Sequence, residues 1–594
     1  MSLSGASSSI IHVQNQFIKK QQEIIKQQSF ADILAEAEGN NLSDKLDSIE
    51  QKKAIQMQTQ DGNLGYPLNS AQRICLQDDM EQLMFSNMAI SSMNIINGTS
   101  QNDIIKATQN EDGTLTINLN GEEHTYSKEE IANGFIINSD DGNDMIDMSS
   151  SNANFIINLG DGNNSISLGN GRNITLTGNG NNVITGSEMP SKGTSIYTGS
   201  GNNNISLGEG SSNKVITNGG SNTITTGQDS VSNIIDKNYT DKPSTIKLDT
   251  DTDNFITTTG SSNITVGDGN NNIQNNKGNS YIKAGNGNNI IISSGNINNI
   301  QVGDGNNYIE GGSDNDNILV GNGDNVIYGL NGNDTIVAGN GNNYIDGGNN
   351  DDTIIAGEGK NIIAGGLGND KITATGVDGT IIDDSNGENI NAEENNIILY
   401  DSESTTSLGN SVVSYGSKQF RQRIQSDLEV FRGTQTGRKL LFELDRSGKT
   451  TTIEETYKQN GFASIYKPND NGKQYVKPNG LRGEGANAWI GFNPTFNGAS
   501  NGKPITALFH ELAHAYNITT GTMANGNIYE NGIELKAGEH QAVGLELKDF
   551  TPVKHPDGTV SASNPKGISE NDFRTEIGIE NREAYNWKIN FNKM

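Results

Sequence analysis

Isoleucine stands at positions 264, 273, 282, 291, 300, 309, 318, 327, 336, 345, 354, 363 and 372, a strict nine-residue step. A looser version with slips runs back through Ile205, Ile184 and Ile166 to Ile146. A glycine recurs every eighteen residues, at 267, 285, 303, 321, 339 and 357. Nine residues per half-turn and eighteen per coil describe a parallel β-roll, a β-solenoid of short strands and Gly-rich turns. Each isoleucine faces inward and stacks on its equivalents, because one coil alone cannot bury that face. The turn glycines admit φ > 0 and let neighbouring coils approach closely. The roll is expected over residues 135–400.

Its two edges differ. One reads Gly303-Asp-Gly-Asn-Asn307, Gly321-Asn-Gly-Asp-Asn325 and Gly339-Asn-Gly-Asn-Asn343, with Asn in the fifth turn position. The other places Asp there, at Asp316, Asp334, Asp352 and Asp370. These turns resemble the nonapeptide repeat of RTX proteins. That resemblance implies Ca²⁺ between successive turns, held by the aspartates and by turn carbonyls, as a hard cation prefers oxygen. Three sites are implied, between 316 and 334, 334 and 352, and 352 and 370. On the other edge a neutral amide ladder does the stapling without metal.

The formal charge of −30 sits entirely before residue 401: 19 Lys and Arg oppose 49 Asp and Glu there, against 22 of each from Asp401 onward. An acidic repeat half is a poor partner for nucleic acid or an anionic membrane and a plausible one for divalent cations, the alternative being a solvated acidic surface that only aids solubility. The single cysteine, Cys75, excludes an intrachain disulfide and a Cys-based zinc site. No apolar run approaches the ~18 residues of a membrane span, and the Ser-rich start lacks the basic and apolar regions of a Sec signal. An irregularly amphipathic helix is expected over Ile10–Ala37, read as an exposed helix or as a targeting segment for a secretion chaperone. The organisation expected is a disordered or helical secretion or targeting region at 1–92, a β-hairpin cap at 93–134, the roll at 135–400 and a further domain at 401–594. In the cap, the alternation of Thr114–Leu119, the Asn120-Gly121 turn and Glu122–Tyr126 predict the hairpin.

After residue 400 the nonapeptide stops and Arg, Lys, Phe and Tyr return. The pattern predicts a helix over Phe420–Asp445 broken near Gly433, a strand at Ala488–Phe492 and a helix that starts near Pro504. That last helix carries His510-Glu511-Leu512-Ala513-His514. His-Glu-x-x-His puts two imidazoles one turn apart on one helix face, where both reach a single Zn²⁺. The glutamate between them is placed to take a proton from the attacking water and pass it to the leaving amine. A catalytic zinc needs a third protein ligand. Glu530, Glu534, Glu539, His540, Glu546 and His555 are candidates. Residues 534–548 have helical composition apart from their glycines, and Glu539 shares a face with Ala542, Val543 and Glu546, so Glu539 is favoured, then Glu546, then His540.

Three motifs in this region, Thr506-Ala-Leu-Phe-His-Glu-Leu-Ala-His-Ala515, Glu539-His-Gln-Ala-Val-Gly544 and Asn571-Asp-Phe-Arg-Thr-Glu-Ile-Gly578 with Arg582 and Tyr585, resemble the NleD-like effector zinc metallopeptidases. The resemblance covers about the last 170 residues. It implies an α+β, zincin-like domain with Glu539 as third zinc ligand. It also brings the cluster Arg574, Glu576, Arg582 and Tyr585 to the family's C-terminal motif. There Arg574 or Tyr585 would stabilise an oxyanion, or the cluster would be a buried ion pair holding the C-terminal helix. The family members are injected by type III secretion and cut host mitogen-activated protein kinases of the JNK and p38 types. RTX repeats instead accompany type I export into calcium-rich medium. The function expected is a secreted effector-type zinc endopeptidase acting on host proteins, in the medium or the host cytosol. The alternatives are a non-enzymatic calcium-binding surface or adhesion protein and an antibacterial metallopeptidase toxin.

Overall fold

A computed structural model of the chain describes residues 93–384, 389–456, 461–495, 503–530 and 533–585. The helix expected over Ile10–Ala37 and Cys75 lie outside the described residues. Parallel β-solenoid coils occupy residues 135–399, and an α+β domain follows. The chain divides into two compact units, 1–269 and 270–594, so the division falls within the repeats. Among the described residues no helix is long and apolar enough to cross a membrane.

In the first unit, strand Leu115–Leu119 pairs antiparallel with Glu122–Tyr126. The turn residues Asn120 and Gly121 both have φ > 0, as a two-residue hairpin turn requires. Helix α1 (Lys128–Asn133) follows, its start closed by reciprocal hydrogen bonds between Ser127 and Glu130. The coils then place successive short strands alternately in two parallel sheets. The inward isoleucines stay in register despite the uneven spacing: Ile146 lies beside Ile166, Ile166 beside Ile184, Ile184 beside Ile205, and Ile205 beside Ile224. Extra residues are taken up in the turns, because a slip in the strand would turn the whole apolar set outward.

In the second unit the spacing is regular and so is the stack. Ile282, Ile300, Ile318, Ile336, Ile354 and Ile372 line up on one sheet, and Ile273, Ile291, Ile309, Ile327, Ile345 and Ile363 on the other. All are fully buried. The second sheet is also covered on its outer face. After the short helix α2 (Ser402–Thr405), helix α3 (Lys418–Gly433) packs across strands Val326–Asn331, Tyr344–Asn349 and Ile362–Leu367. Arg423 lies over the Tyr328 ring, 3.4 Å from its centroid, and pairs with Asp427. Gln419 donates to Glu310 at 2.9 Å and Ser426 to Asp346 at 2.8 Å.

Helix α4 (Gln435–Arg446) follows, so the helix break near Gly433 is present. A four-stranded sheet runs in the order Val412–Tyr415, Thr451–Glu455, Ala488–Phe492, Phe462–Ile465; only the last, an edge strand, is antiparallel to its neighbour. Helix α5 (Pro504–Thr520) starts with proline in its first turn and ends at Gly521 with φ 69°. Phe509 stacks on Phe573 with centroids 4.5 Å apart, and Phe431 meets both edge-on, which ties α5 to α3 and to helix α7 (Glu570–Glu576). Residues 534–548 are not one helix. Ile533–Lys536 is a strand paired with Asn527–Glu530, and helix α6 spans only Ala537–Val543. Gly544, at φ 91°, stops it in a left-handed cap.

Candidate active site and cation sites

Helix α5 presents His510 and His514 one turn apart, both buried among Leu508, Phe509, Leu512 and Ala513. Helix α6 brings Glu539 to them from its first turn. His510 Nε2, His514 Nε2 and Glu539 Oε2 converge, with separations of 3.0, 3.1 and 3.3 Å. Three ligands around one tetrahedral ion at the usual zinc distances sit about 3.3–3.5 Å apart, so the two histidines and one carboxylate fit Zn²⁺ in both donor type and spacing. Burial alone would discourage charge on His510. Its hydrogen bonds to Glu539 and Glu570, and their negative charge, outweigh that and raise its pKa to about 10. The attraction of His514 and the hydrogen bonds to both histidines, working against burial, hold Glu539 far below the ordinary carboxylate range. The negative charge that draws a proton here also draws a cation, which binds in the proton's place.

Glu511, between the two histidines on α5, is not one of the three converging ligands. It is almost fully buried, its Oε2 has no hydrogen-bond partner, and its side chain lies against Gly461, just before the edge strand Phe462–Ile465. Burial raises its pKa, and the histidine charges only partly offset that. A buried carboxylate with a free oxygen beside a metal triad can accept a proton from a small molecule there.

Sequence reasoning missed Glu570. Its Oε2 lies 3.0 Å from His510 Nδ1, which directs the Nε2 lone pair toward Glu539 and His514. Arg574 (3.1 Å) and Arg582 (3.0 Å) both donate to Glu570, and the three form a buried frame. Arg574 also donates to the Glu580 carbonyl, so its guanidinium serves the frame rather than the triad. The hydrogen bond and charge of His510, followed by the charges of Arg582 and Arg574, keep Glu570 at a pKa of about 2 despite its burial. The signal was present: an acid directly after the capping Ser569 and four residues before Arg574. Tyr585 is at the site, its ring 5.9 Å from that of His510 and its side chain hydrogen-bonded to Glu539.

The remaining candidates lie elsewhere. Glu576 caps the start of α4 through the Gln435 and Thr436 backbone. His540 pairs with Glu530, His555 with Tyr516, Glu534 with Asn527, and Glu546 is exposed beside Lys548.

The aspartate edge is a second candidate site. Asp316, Asp334, Asp352 and Asp370 are buried in a column, each Oδ1 accepting the backbone N–H of the equivalent residue one coil before, as from Asp316 to Asp334 at 2.7 Å. The Oδ2 atoms of Asp316, Asp334 and Asp352 have no hydrogen-bond partner. A β-carbon added to Gly311, Gly329 or Gly347 would collide with the Oδ2 of Asp316, Asp334 or Asp352 and with the next coil's glycine carbonyl. The polar atoms nearest each such position are therefore both acceptor oxygens. The asparagine edge is the internal control. Asn325 Oδ1 accepts the Asn307 N–H in the same way, but its Nδ2 donates back to the Gly321 and Gly323 carbonyls. An amide closes its own turn, whereas a carboxylate leaves a gap that a hard cation fits.

No curated protein and no solved structure matches the chain. Two family models do. The RTX calcium-binding nonapeptide repeat matches five overlapping stretches between residues 265 and 381, the region of the regular isoleucine stack and the aspartate column. The Peptidase M91 family, described as effector protein, matches residues 409–585, which contain both histidines and all the acids around them. The C-terminal domain is thus an effector-type domain of the Peptidase M91 family, preceded in the same chain by RTX calcium-binding nonapeptide repeats.

Proposed function

We propose that the C-terminal domain is a zinc-dependent endopeptidase, with His510, His514 and Glu539 as metal ligands and Glu511 as general base. The observation that carries this reading is the convergence of two imidazole nitrogens and one carboxylate oxygen beside a buried carboxylate whose second oxygen is unused. When bound, a zinc ion supplies Lewis acidity, lowering the pKa of water and polarising the scissile carbonyl. Glu511 takes the proton of the attacking water and delivers it to the leaving amine. The Tyr585 hydroxyl donates to the oxyanion that develops on the substrate. Arg574, read from sequence as a catalytic candidate, acts through Glu570 and is a positioning residue. Among the described residues the strand Phe462–Ile465 is last in its sheet and starts beside Gly461, which Glu511 touches, a position that suits an extended peptide substrate.

The effector family supports a secreted protein acting on a protein substrate. The resemblance to NleD-like enzymes makes host mitogen-activated protein kinases of the JNK and p38 types the first substrates to assay. The aspartate column supports Ca²⁺ as a second, structural metal, bound where the repeats fold in calcium-rich medium. The test is Glu511→Gln. Zinc content stays at one per chain and the circular dichroism is unchanged, while cleavage falls by about 10²–10⁴-fold. Unchanged cleavage, or less than stoichiometric zinc in the unsubstituted protein purified without chelator, overturns the assignment.

A further inference from the structure

Glu530 ends the strand Asn527–Glu530, which pairs antiparallel with Ile533–Lys536. Strand alternation decides where its side chain goes. Tyr529 is exposed, while Ile528 packs on the buried cluster of Ala524, Ala537 and Leu547. Glu530, two residues on, shares the face of Ile528, and its side chain is only 11% exposed. There one oxygen meets donors from two other segments. Glu530 Oε1 lies 2.8 Å from His540 Nε2 and 3.1 Å from the backbone nitrogen of Tyr585. A carboxylate only accepts, so both nitrogens donate to it.

The effect falls on Tyr585. Glu530 holds its N–H, and the Arg582 guanidinium holds its carbonyl. Arg582 is fixed in turn by Glu570 at 3.0 Å and by Asn571 at 2.8 Å. With its backbone held on both sides, Tyr585 keeps its ring 5.9 Å from that of His510 and its side chain hydrogen-bonded to Glu539. Helix α6 has a separate anchor. Gln541 is fully buried, accepts the Ala524 N–H at 2.9 Å and donates to the Thr522 carbonyl at 2.9 Å. Loss of Glu530 therefore frees Tyr585 and leaves Glu539 in place.

We propose that Glu530 is a positioning residue of the peptidase reaction, fixing the Tyr585 backbone so that the phenol hydroxyl stands where the oxyanion develops. This rests on the reading of the domain as a zinc peptidase in which Tyr585 donates to that oxyanion. The carboxylate–amide bond is charge-assisted and shielded from water, which makes it a firm anchor. A displacement of about 1 Å in a group that meets the reacting atoms costs about 10²-fold in rate.

The test uses the full, zinc-loaded chain in four forms: parent, Glu530→Ala, Tyr585→Phe and the double variant. Hydrogen exchange needs no substrate. In Glu530→Ala the peptide spanning Tyr585 exchanges at least about tenfold faster, while α5 and α6 keep their protection and zinc stays at one per chain. On purified p38 kinase, Glu530→Ala lowers kcat by about 10²-fold and leaves KM unchanged. In the Tyr585→Phe background the same substitution costs less than about twofold, because the group it positions is already gone. Glu530→Gln, whose amide oxygen still accepts, recovers most of the loss. Unchanged exchange at Tyr585 overturns the proposal, and so does an equal loss of kcat in both backgrounds. Failure of the underlying reading shows differently, as a Glu511→Gln variant that cleaves normally or a Tyr585→Phe variant as active as the parent. If the parent leaves the kinase intact, the exchange result decides alone. Should Glu530→Ala fail to fold, Glu530→Asp, which keeps the charge and shortens the reach, is read by the same criteria.

Discussion

Glu570 decides how His510 faces the triad. By accepting from Nδ1 it commits that nitrogen to carry the proton and leaves Nε2 as the donor atom, while Arg574 and Arg582 hold the carboxylate in place. Glu570→Gln keeps the shape but removes the charge that both arginines share. Zinc affinity is expected to fall by about 10–100-fold, measured by competition with a chromophoric chelator, with the fold retained. An unchanged affinity would mean that the helix alone orients the imidazole. Glu570 was hard to find in the sequence because its role depends on residues 60 positions away. Glu539, 29 positions from His510, was legible because it shares a helix face with Ala542 and Val543 and lies in a motif.

At the scale of the strand and turn, the two edges of the roll differ by one atom type per coil. The asparagine column satisfies its own carbonyls, while the aspartate column faces acceptors with acceptors. Burial, reinforced by neighbouring aspartates at all but Asp334, raises the carboxyl pKa values of Asp316, Asp334, Asp352 and Asp370 to about 8, 7, 9 and 7 without a cation. Asp314, Asp346, Asp383 and Asp384 are the charged groups that add to this. In the unfolded chain an aspartate titrates near pH ~3.9. A folded pKa above the unfolded one means that the protonated column contributes its full stability below about pH 4 and loses it as the pH rises through about 7–9. In EGTA the roll's melting temperature, followed by circular dichroism, is therefore expected to fall between pH 5 and pH 9. Saturating calcium removes that fall, because the cation replaces the protons. A melting temperature independent of pH in EGTA would show that the column carries no such strain.

Across the second unit, helix α3 belongs to both the roll and the peptidase domain. One side buries Arg423, Asp427 and Ser426 against Tyr328, Glu310 and Asp346 of the coils, and Phe431 packs on Phe509 of helix α5. One guanidinium faces three buried carboxyls, whose pKa values burial raises, to about 7 for Asp346 and about 6 for Asp427. Arg423→Met leaves those groups without their cation, and a loss of about 3–5 kcal/mol is expected, read as a shift in the urea midpoint of the full chain. A change below 1 kcal/mol (~1) would mean that the carboxyls are protonated and indifferent to it. This contact had no signature in the sequence. Tyr308, Tyr328 and Tyr344 sit at outward positions of the repeat, where a side chain normally meets water, and only the packed helix makes them core.

Periodicity and short motifs carried most of the local answer. A nine-residue isoleucine step leaves one inward face, and His-Glu-x-x-His puts both imidazoles on one helix side, because both follow from fixed backbone geometry over a few residues. The same logic overreached at 534–548, where helical composition lost to strand pairing at Ile533–Lys536 and to the left-handed cap at Gly544. What tertiary structure alone decided were contacts between segments far apart in the chain: Glu570 behind His510, Glu530 on the Tyr585 backbone, and Arg423 on Tyr328. Each depends on where long connections bring a side chain, and no local periodicity records that.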